Sequence, residues 1–185
     1  KFDTRRLATL AFLVFALVLW MRSHFSTLSD FNTMMIPTLI QGIALALFFI
    51  PLTSIILGGL PGDKIASASG LSSFCRVLFG SFGTSISVTV WQDRTTLHHA
   101  QLTEMINRGN TASNSALAGL NASGLSTEQA LSQINRMIDQ QAATLAANDV
   151  FYASAVIFVL LIPLVWLSRP AKGGAGASEA AAGAH

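Results

Sequence analysis

Arg76 is the residue in this chain with the clearest capacity for chemistry, because it stands inside a run of apolar and small side chains. It comes ten residues after Ala66, where that run begins, which is about 15 Å of helix rise. The position is near the middle of a bilayer if the run crosses one, and an arginine there costs at least ~2.5–3.5 kcal/mol. Two roles stay open, contact with a substrate or gate and a structural pair with backbone carbonyls or a carboxylate.

Three residues of the preceding apolar run could also contact a ligand. Gln41 is strongly polar, and lining an aqueous cavity is favoured for it over an interhelical hydrogen bond. Phe48 and Phe49 could stack on an aromatic ligand, although lipid or helix packing is the commoner use of a single phenylalanine. Together with Arg76, these residues form the predicted lining of a substrate cavity.

The remaining reactive side chains indicate no catalytic centre and no cofactor. His98 and His99 are adjacent, so on a helix they point ~100° apart, and no His-x-x-x-His spacing accompanies them. We predict that both are solvated surface residues. The single cysteine, Cys75, suits helix packing and can form neither a disulfide framework nor a metal site alone. The sequence therefore predicts no metal site and a protein that is not an enzyme.

The elements that must hold these residues are membrane helices. Residues 31 to 62 carry no charged side chain, and the whole chain is 51% hydrophobic and 11% charged. A helix needs about 20 apolar residues to cross a bilayer. The net charge of +2 is not gathered into a basic stripe, which argues against a nucleic-acid partner. We predict an all-α integral membrane protein in contact with the lipid bilayer.

Four transmembrane helices are expected, joined by short loops and one long polar segment. The second should start near Pro37, and Asp63-Lys64 should form a tight hydrophilic loop before the third. The tail, residues 169–185, is expected to be cytoplasmic and disordered. The predicted spans are residues 7–22, 36–58, 66–91 and 149–168.

The polar segment, residues 92–148, is predicted to be an extramembrane helical hairpin. Thr95–Asn107 has helical spacing, while Arg108–Gly124 has no periodicity and should be a loop. Ser126–Gln129 fits a capping box, followed by apolar residues at helical spacing. We expect two helices here, separated by an irregular connection.

The third and fourth spans differ in the size of their side chains. Gly80 and Gly83 lie in a span rich in small residues, which allows close contact between helices, so this span should pack against others. The last span is rich in large aliphatic residues and suits a lipid-facing edge. Short segments on the side of both chain ends hold six Lys or Arg, against four on the other side. Both ends should therefore be cytoplasmic and residues 92–148 external.

The sequence resembles the C-terminal part of EmrB-type multidrug efflux transporters, from the fourteen-span drug:proton antiporter branch of the major facilitator superfamily. The likeness covers nearly the whole chain, including its Gly/Ala-rich end. The segments that carry it are Lys1–Arg6, Ile40–Gly42, Phe48–Thr53, Leu60-Pro61, Ser72–Arg76, Gly80–Ser85 and His98–Glu104.

The resemblance implies a role for each part of the chain. The four spans would belong to the C-terminal helix bundle of a major facilitator fold in a bacterial inner membrane. Asp3, Arg5 and Arg6 resemble the cytoplasmic gating motif of the family. The transporter would exchange hydrophobic, drug-like substrates for protons. It would work with a periplasmic adaptor protein and an outer-membrane channel, and the hairpin is a plausible contact for the adaptor.

Two other functions remain compatible with the sequence. One is a four-span membrane scaffold or assembly protein that transports nothing, and the other is a transporter of the same fold with another substrate. The chain starts at Lys1 rather than Met, so we expect it to be the C-terminal piece of a longer protein. Because no carboxylate or histidine stands in the interior of the predicted spans, proton coupling would need residues elsewhere in that protein.

Overall fold

The computed structural model describes residues 4–57, 60–107 and 111–167, and all regular secondary structure within them is α-helical. This confirms the all-α prediction for the described part of the chain. The helices are α1 (Thr4–Arg22), α2 (Phe31–Leu57), α3 (Gly62–Asn107), α4 (Thr111–Ala122) and α5 (Thr127–Leu167).

Two of the helices are much longer than a bilayer is thick. α3 has 46 residues and α5 has 41, about 69 Å and 62 Å at the standard rise. Both continue without interruption past residues 91 and 149, where the sequence predicted the membrane boundary. The polar hairpin is thus built on direct extensions of apolar helices, which fixes its direction relative to them.

Three of the helices in the described residues are long and apolar enough to cross a membrane, namely α2, α3 and α5. α1 is not among the three. It has 19 residues and includes three arginines, Arg5, Arg6 and Arg22. The four-span arrangement therefore stays a prediction.

α5 is the central element of the packing. It contacts both α1 and α3 extensively, α2 packs on α1, and α2 and α3 touch far less. The buried positions are mostly alanines, which lets helix backbones approach closely. Ala155 of α5 is 6% exposed, so the expectation that the last span is a simple lipid-facing edge is wrong at this position. The buried residues of α5 are Ala130, Ala142, Ala146 and Ala155. Large aliphatic side chains surround Ala155 in the sequence, so its burial could not be predicted from composition.

The boundaries of α2 and α3 differ from the predicted ones. α2 begins at Phe31, and Pro37 lies inside it and fully buried, not in its first turn. α3 begins at Gly62, so Asp63 and Lys64 form its first turn and not a loop. A carboxylate at a helix N-terminus is favoured by the helix dipole, which explains why Asp63 starts the helix.

The connection between α3 and α5 contains a helix that the sequence analysis missed. Thr111–Ala122 is α4, not loop. It ends in a Schellman motif, because Gly124 has φ +94°, its N–H donates to the Asn121 carbonyl, and the Leu125 N–H donates to the Leu120 carbonyl. The glycine after this Asn-Ala-Ser run was the signal available in the sequence.

The predicted capping box at the start of α5 is confirmed. The Ser126 N–H donates to Gln129 Oε1 at 2.9 Å, and the Gln129 N–H donates to Ser126 Oγ at 3.3 Å. These reciprocal bonds satisfy backbone donors that a helix start leaves open. Together with the Gly124 cap, they define the short turn between α4 and α5.

Candidate functional site

The structure places Arg76 directly over the ring of Phe49. The Arg76 Cζ atom lies 5.0 Å from the centre of that ring, within the range of a cation–π interaction. The contact joins α3 to α2, two helices that otherwise touch little. Arg76 is an exposed residue in this chain. Two residues that the sequence proposed separately are therefore in contact.

Phe48 connects Arg76 and Phe49 to an aromatic cluster shared by three helices. Its ring centre lies 5.9 Å from that of Phe49 and 5.7 Å from that of Phe12 on α1. Phe15 of α1 stacks on Phe158 of α5, with ring centres 5.2 Å apart. Phe48 thus packs between helices, whereas Phe49 lies against the cation.

Gln41 lies about two helix turns from Phe48, on the same side of α2. Pro37 and Ala44, spaced by four and three residues from it, are both buried. Gln41 itself is half-buried. The pairing of Phe12 with Phe48 and of Arg22 with Thr38 places α1 alongside this stripe. The described structure thus puts Gln41 on the side of α2 that packs on α1, away from Arg76.

The other predicted site residues are those of the gating motif and the two glycines of α3. Asp3 lies outside the described residues. Arg5 and Arg6 are in the first turn of α1, where Arg6 is exposed. A Cβ atom added at Gly80 or Gly83 would meet nothing within 4 Å, so the small-residue stripe of α3 is open within this chain. Their predicted roles in gating and packing stay predictions.

A second group of contacts, missed by the sequence analysis, surrounds Arg22 at the end of α1. Arg22 Nη2 donates to Thr38 Oγ1 of α2 at 3.1 Å, and its Cζ atom lies 5.9 Å from the ring centre of Phe151 of α5. Arg22 is half-buried, and it joins three helices.

The prediction that both histidines are solvated surface residues is wrong for His98, and each of the two lies within bonding distance of a carboxylate. His98 Nε2 lies 2.9 Å from Asp149 Oδ2, and Arg94 Nη1 lies 3.8 Å from the same oxygen. His99 Nε2 lies 3.2 Å from Asp139 Oδ1. Each histidine of α3 thus bonds to a carboxylate of α5, and only 19% of the His98 side chain is exposed. Sequence spacing gives no hint of this, because the pairing depends on the register between two distant helices.

Two more hydrogen bonds join α5 to its neighbours. Trp91 Nε1 of α3 donates to the Ala143 carbonyl of α5 at 3.0 Å, and Asn148 Nδ2 of α5 donates to the Phe25 carbonyl at 2.7 Å. These bonds tie α3 and the α1–α2 turn to α5. Among the residues that the structure describes, no three His, Cys, Asp or Glu side chains are grouped to hold a metal ion.

Comparison with known proteins relates this arrangement to drug exporters. The chain is 42% identical to the multidrug export protein EmrB of Escherichia coli strain K12, over 100% of this chain and 36% of that protein. It is 42% identical to the probable multidrug resistance protein EmrY of the same strain, over 92% of this chain and 33% of EmrY. It is 39% identical to the fatty acid resistance protein FarB of Neisseria gonorrhoeae, over 95% of this chain and 35% of FarB.

No protein-family model and no solved structure matches the chain. The chain spans about a third of the length of the relatives that it matches. The match to EmrB nevertheless runs along the entire chain, through the apolar helices and the polar hairpin alike. The chain is therefore homologous along its full length to a segment of the EmrB-type multidrug export proteins.

Proposed function

We propose that this chain is the C-terminal part of a proton-coupled multidrug efflux transporter that exports hydrophobic or amphipathic compounds across the bacterial inner membrane. The observation that carries the proposal is the 42% identity to EmrB along the whole chain. A scaffold that transports nothing is not favoured, because the relatives are named for export or resistance.

The Arg76–Phe49 contact is the proposed substrate contact within this chain. An apolar ring and a cation side by side suit a molecule with both an aromatic part and a polar or anionic part. Because α2 and α3 touch little elsewhere, a ligand can enter beside this contact without separating a packed interface. Phe48 packs against Phe49, whereas Gln41 lies two turns away on the side of α2 that packs on α1.

A transporter of amphipathic anions is the second candidate function. One relative, FarB, is named for fatty acid resistance, and Arg76 offers a positive charge beside an apolar surface. A fatty acid carboxylate would pair with the guanidinium while its chain lay on the phenylalanines. The two candidates share the site and differ in the charge of the cargo.

The rest of the proposal concerns the whole transporter. Four spans of this chain would form part of the C-terminal bundle of a major facilitator fold, with both ends cytoplasmic. Asp3, Arg5 and Arg6 would gate the cytoplasmic side, and carboxylates outside this segment would couple transport to protons. The helical hairpin would face a periplasmic adaptor protein, which leads to an outer-membrane channel.

The proposal is tested by replacing Arg76 in the full-length transporter and measuring the drug resistance that each variant gives to cells. Arg76→Ala should lower drug resistance, because a bound drug would lose a cationic partner worth about 1–2 kcal/mol, roughly a tenfold loss of affinity. Arg76→Lys should restore binding partly, since it keeps the charge but loses the planar guanidinium. Cells carrying each variant are compared at equal amounts of membrane-inserted protein.

Arg136→Ala, at an exposed position of α5, is the matched control and should leave resistance unchanged. Normal resistance with Arg76→Ala would remove Arg76 from the substrate path. Loss of resistance to fatty acids but not to neutral drugs would favour the second candidate.

A further inference from the structure

The polar hairpin contains a large apolar groove that the proposed transport site does not use. It has a volume of about 850 Å³ and lies among α3, α4, α5 and the α1–α2 turn. It is about 43 Å along α3 from Arg76 to Met105, at the standard helix rise. The lining residues that the argument uses are Leu102, Met105, Gly119, Ile134, Met137 and Ile138.

The groove walls come from helix faces with regular spacing. Leu102, Met105 and Ile106 lie at positions i, i+3 and i+4 of α3, so they share one face. Ile134, Met137 and Ile138 repeat that spacing on α5. The two faces are brought together by the same register that pairs His99 with Asp139.

The third wall and one end of the groove are held by specific bonds. α4 supplies the third wall through Gly119 and its neighbours, and the Gly124 cap fixes its end. The α1–α2 turn closes one end, where Thr27 Oγ1 donates to Gln141 Oε1 at 3.2 Å. These bonds define the shape of the groove.

The lining defines the chemistry of a ligand. Of the 14 lining residues none is charged, and only Thr27, Ser113, Gln140 and Gln141 are polar. Met105 and Met137 leave 61% and 58% of their surfaces exposed, and their flexible thioethers adapt to flat apolar molecules. The volume lies in the range of sites for drug-sized ligands, about 300–1,000 Å³.

We propose that this groove is a second binding site, which takes an uncharged, drug-sized aromatic molecule in the hairpin and outside the predicted spans. A few amides and hydroxyls at its edge can orient the ligand by hydrogen bonds, while the methionines and isoleucines remove its surface from water. The inference needs only the hairpin contacts and does not depend on transport through the Arg76–Phe49 region.

The test measures protection of a cysteine in the groove by a neutral aromatic probe, N-phenyl-1-naphthylamine. The full-length protein in lipid nanodiscs carries Met137→Cys as its only cysteine, and the rate of labelling by a charged maleimide is followed. At a probe concentration about ten times its Kd, labelling should slow about tenfold, because the free site is depleted in that proportion. Ser132→Cys, exposed on α5 and outside the groove, should be labelled at an unchanged rate.

A filling variant shows whether the protection comes from the groove itself. A Cβ atom at Gly119 would meet nothing within 4 Å, so Gly119→Leu should fill the groove without strain and abolish protection by the probe. Ala118→Leu adds the same bulk at an exposed neighbour that does not line the groove, and protection should persist. Ala116→Leu fills the groove from the same helix and serves if Gly119→Leu lowers the yield of folded protein.

Two results would overturn the proposal. One is an unchanged labelling rate at Met137→Cys at every probe concentration up to the solubility limit. The probe would then not bind in the groove, and a protein segment would be the better candidate for its occupant. The other is protection that survives both Gly119→Leu and Ala116→Leu. Because binding is measured without transport, either result is separate from the outcome of the Arg76 experiment.

Discussion

Aromatic rings hold two arginines of this chain beside apolar helices. Arg76 lies over Phe49 and Arg22 lies over Phe151, at 5.0 Å and 5.9 Å from the ring centres. A ring face attracts a cation without the cost of removing a second charge from water. Arginine suits this use better than lysine, because the guanidinium is planar and weakly hydrated. The apolar helices can therefore keep these cations without nearby carboxylates.

Farther along α3, side chains that can carry positive charge pair with a carboxylate of α5 instead of an aromatic ring. Asp149 accepts a bond from His98 and lies near Arg94, so Asp149→Ala leaves a half-buried imidazole without its partner. We expect a loss of about 1 kcal/mol of stability, near the low end for such bonds because the Asp149 side chain is 40% exposed. Thermal unfolding of the purified transporter should show a lower Tm.

A double-mutant cycle assigns this loss to the pair. His98→Ala and Asp149→Ala together should cost less than the sum of the two single changes. Asp93→Ala, at an exposed position of α3, is the control and should leave the Tm unchanged. Strict additivity of His98→Ala and Asp149→Ala would mean that their contact contributes nothing.

The residue types alone could identify Arg76 and the two phenylalanines but not their partners. Phe49 was predicted because it lies in an apolar run, and its contact with Arg76 depends on how α2 meets α3. His98 and Asp149 are 51 residues apart, so only the packing of α3 on α5 brings them together. Residue type is enough to select candidate residues in an apolar run. It cannot predict their contacts, because those depend on the register between helices.

At the scale of elements, helix continuity was the main feature that composition concealed. The change from apolar to polar sequence after Trp91 predicted a boundary, yet α3 runs from Gly62 to Asn107. The composition of a helix changes where it passes from lipid to water. The helix itself ends only where its backbone hydrogen bonds are capped or interrupted. α4 shows the reverse case, because Asn, Ser and Gly lowered its helical signal while contact with α5 stabilises it.

The small-residue stripe of α3 gives a prediction for helix packing in the full transporter. Gly80→Leu and Gly83→Leu should lower the yield of folded transporter, because a large side chain separates helices that approach through small residues. Ala155→Leu should also be harmful, by about 1–3 kcal/mol, since Ala155 is 6% exposed and has no room to grow.

Ala153→Leu is the control for these three variants, because Ala153 is exposed on the same helix as Ala155. Folded yield is measured by size-exclusion chromatography of detergent extracts. Full yield with both glycine variants would mean that no helix of the transporter packs on this stripe.

For the whole molecule, the contacts describe two unlike halves along the same long helices. Near Phe48 and Phe158 the helices meet through aromatic rings, whereas near Asn148 and Trp91 they meet through hydrogen bonds. Polar bonding between helices suits surroundings that contain water, and apolar packing suits lipid. The hydrogen-bonded contacts lie at the hairpin end of the helices, the end that the predicted topology places outside.

That orientation leads to a labelling experiment on intact cells. Lys64 lies in the first turn of α3, and Ser115 lies in α4, beyond the far end of the same 46-residue helix. A continuous helix of about 69 Å is more than twice the ~30 Å of a bilayer core, so its two ends belong on opposite sides. With cytoplasmic termini, Ser115→Cys should react with a membrane-impermeant maleimide from outside, whereas Lys64→Cys should react only after the membrane is permeabilised. The reverse pattern would invert the predicted topology, and equal reaction of both cysteines in sealed cells would mean that α3 does not cross the membrane.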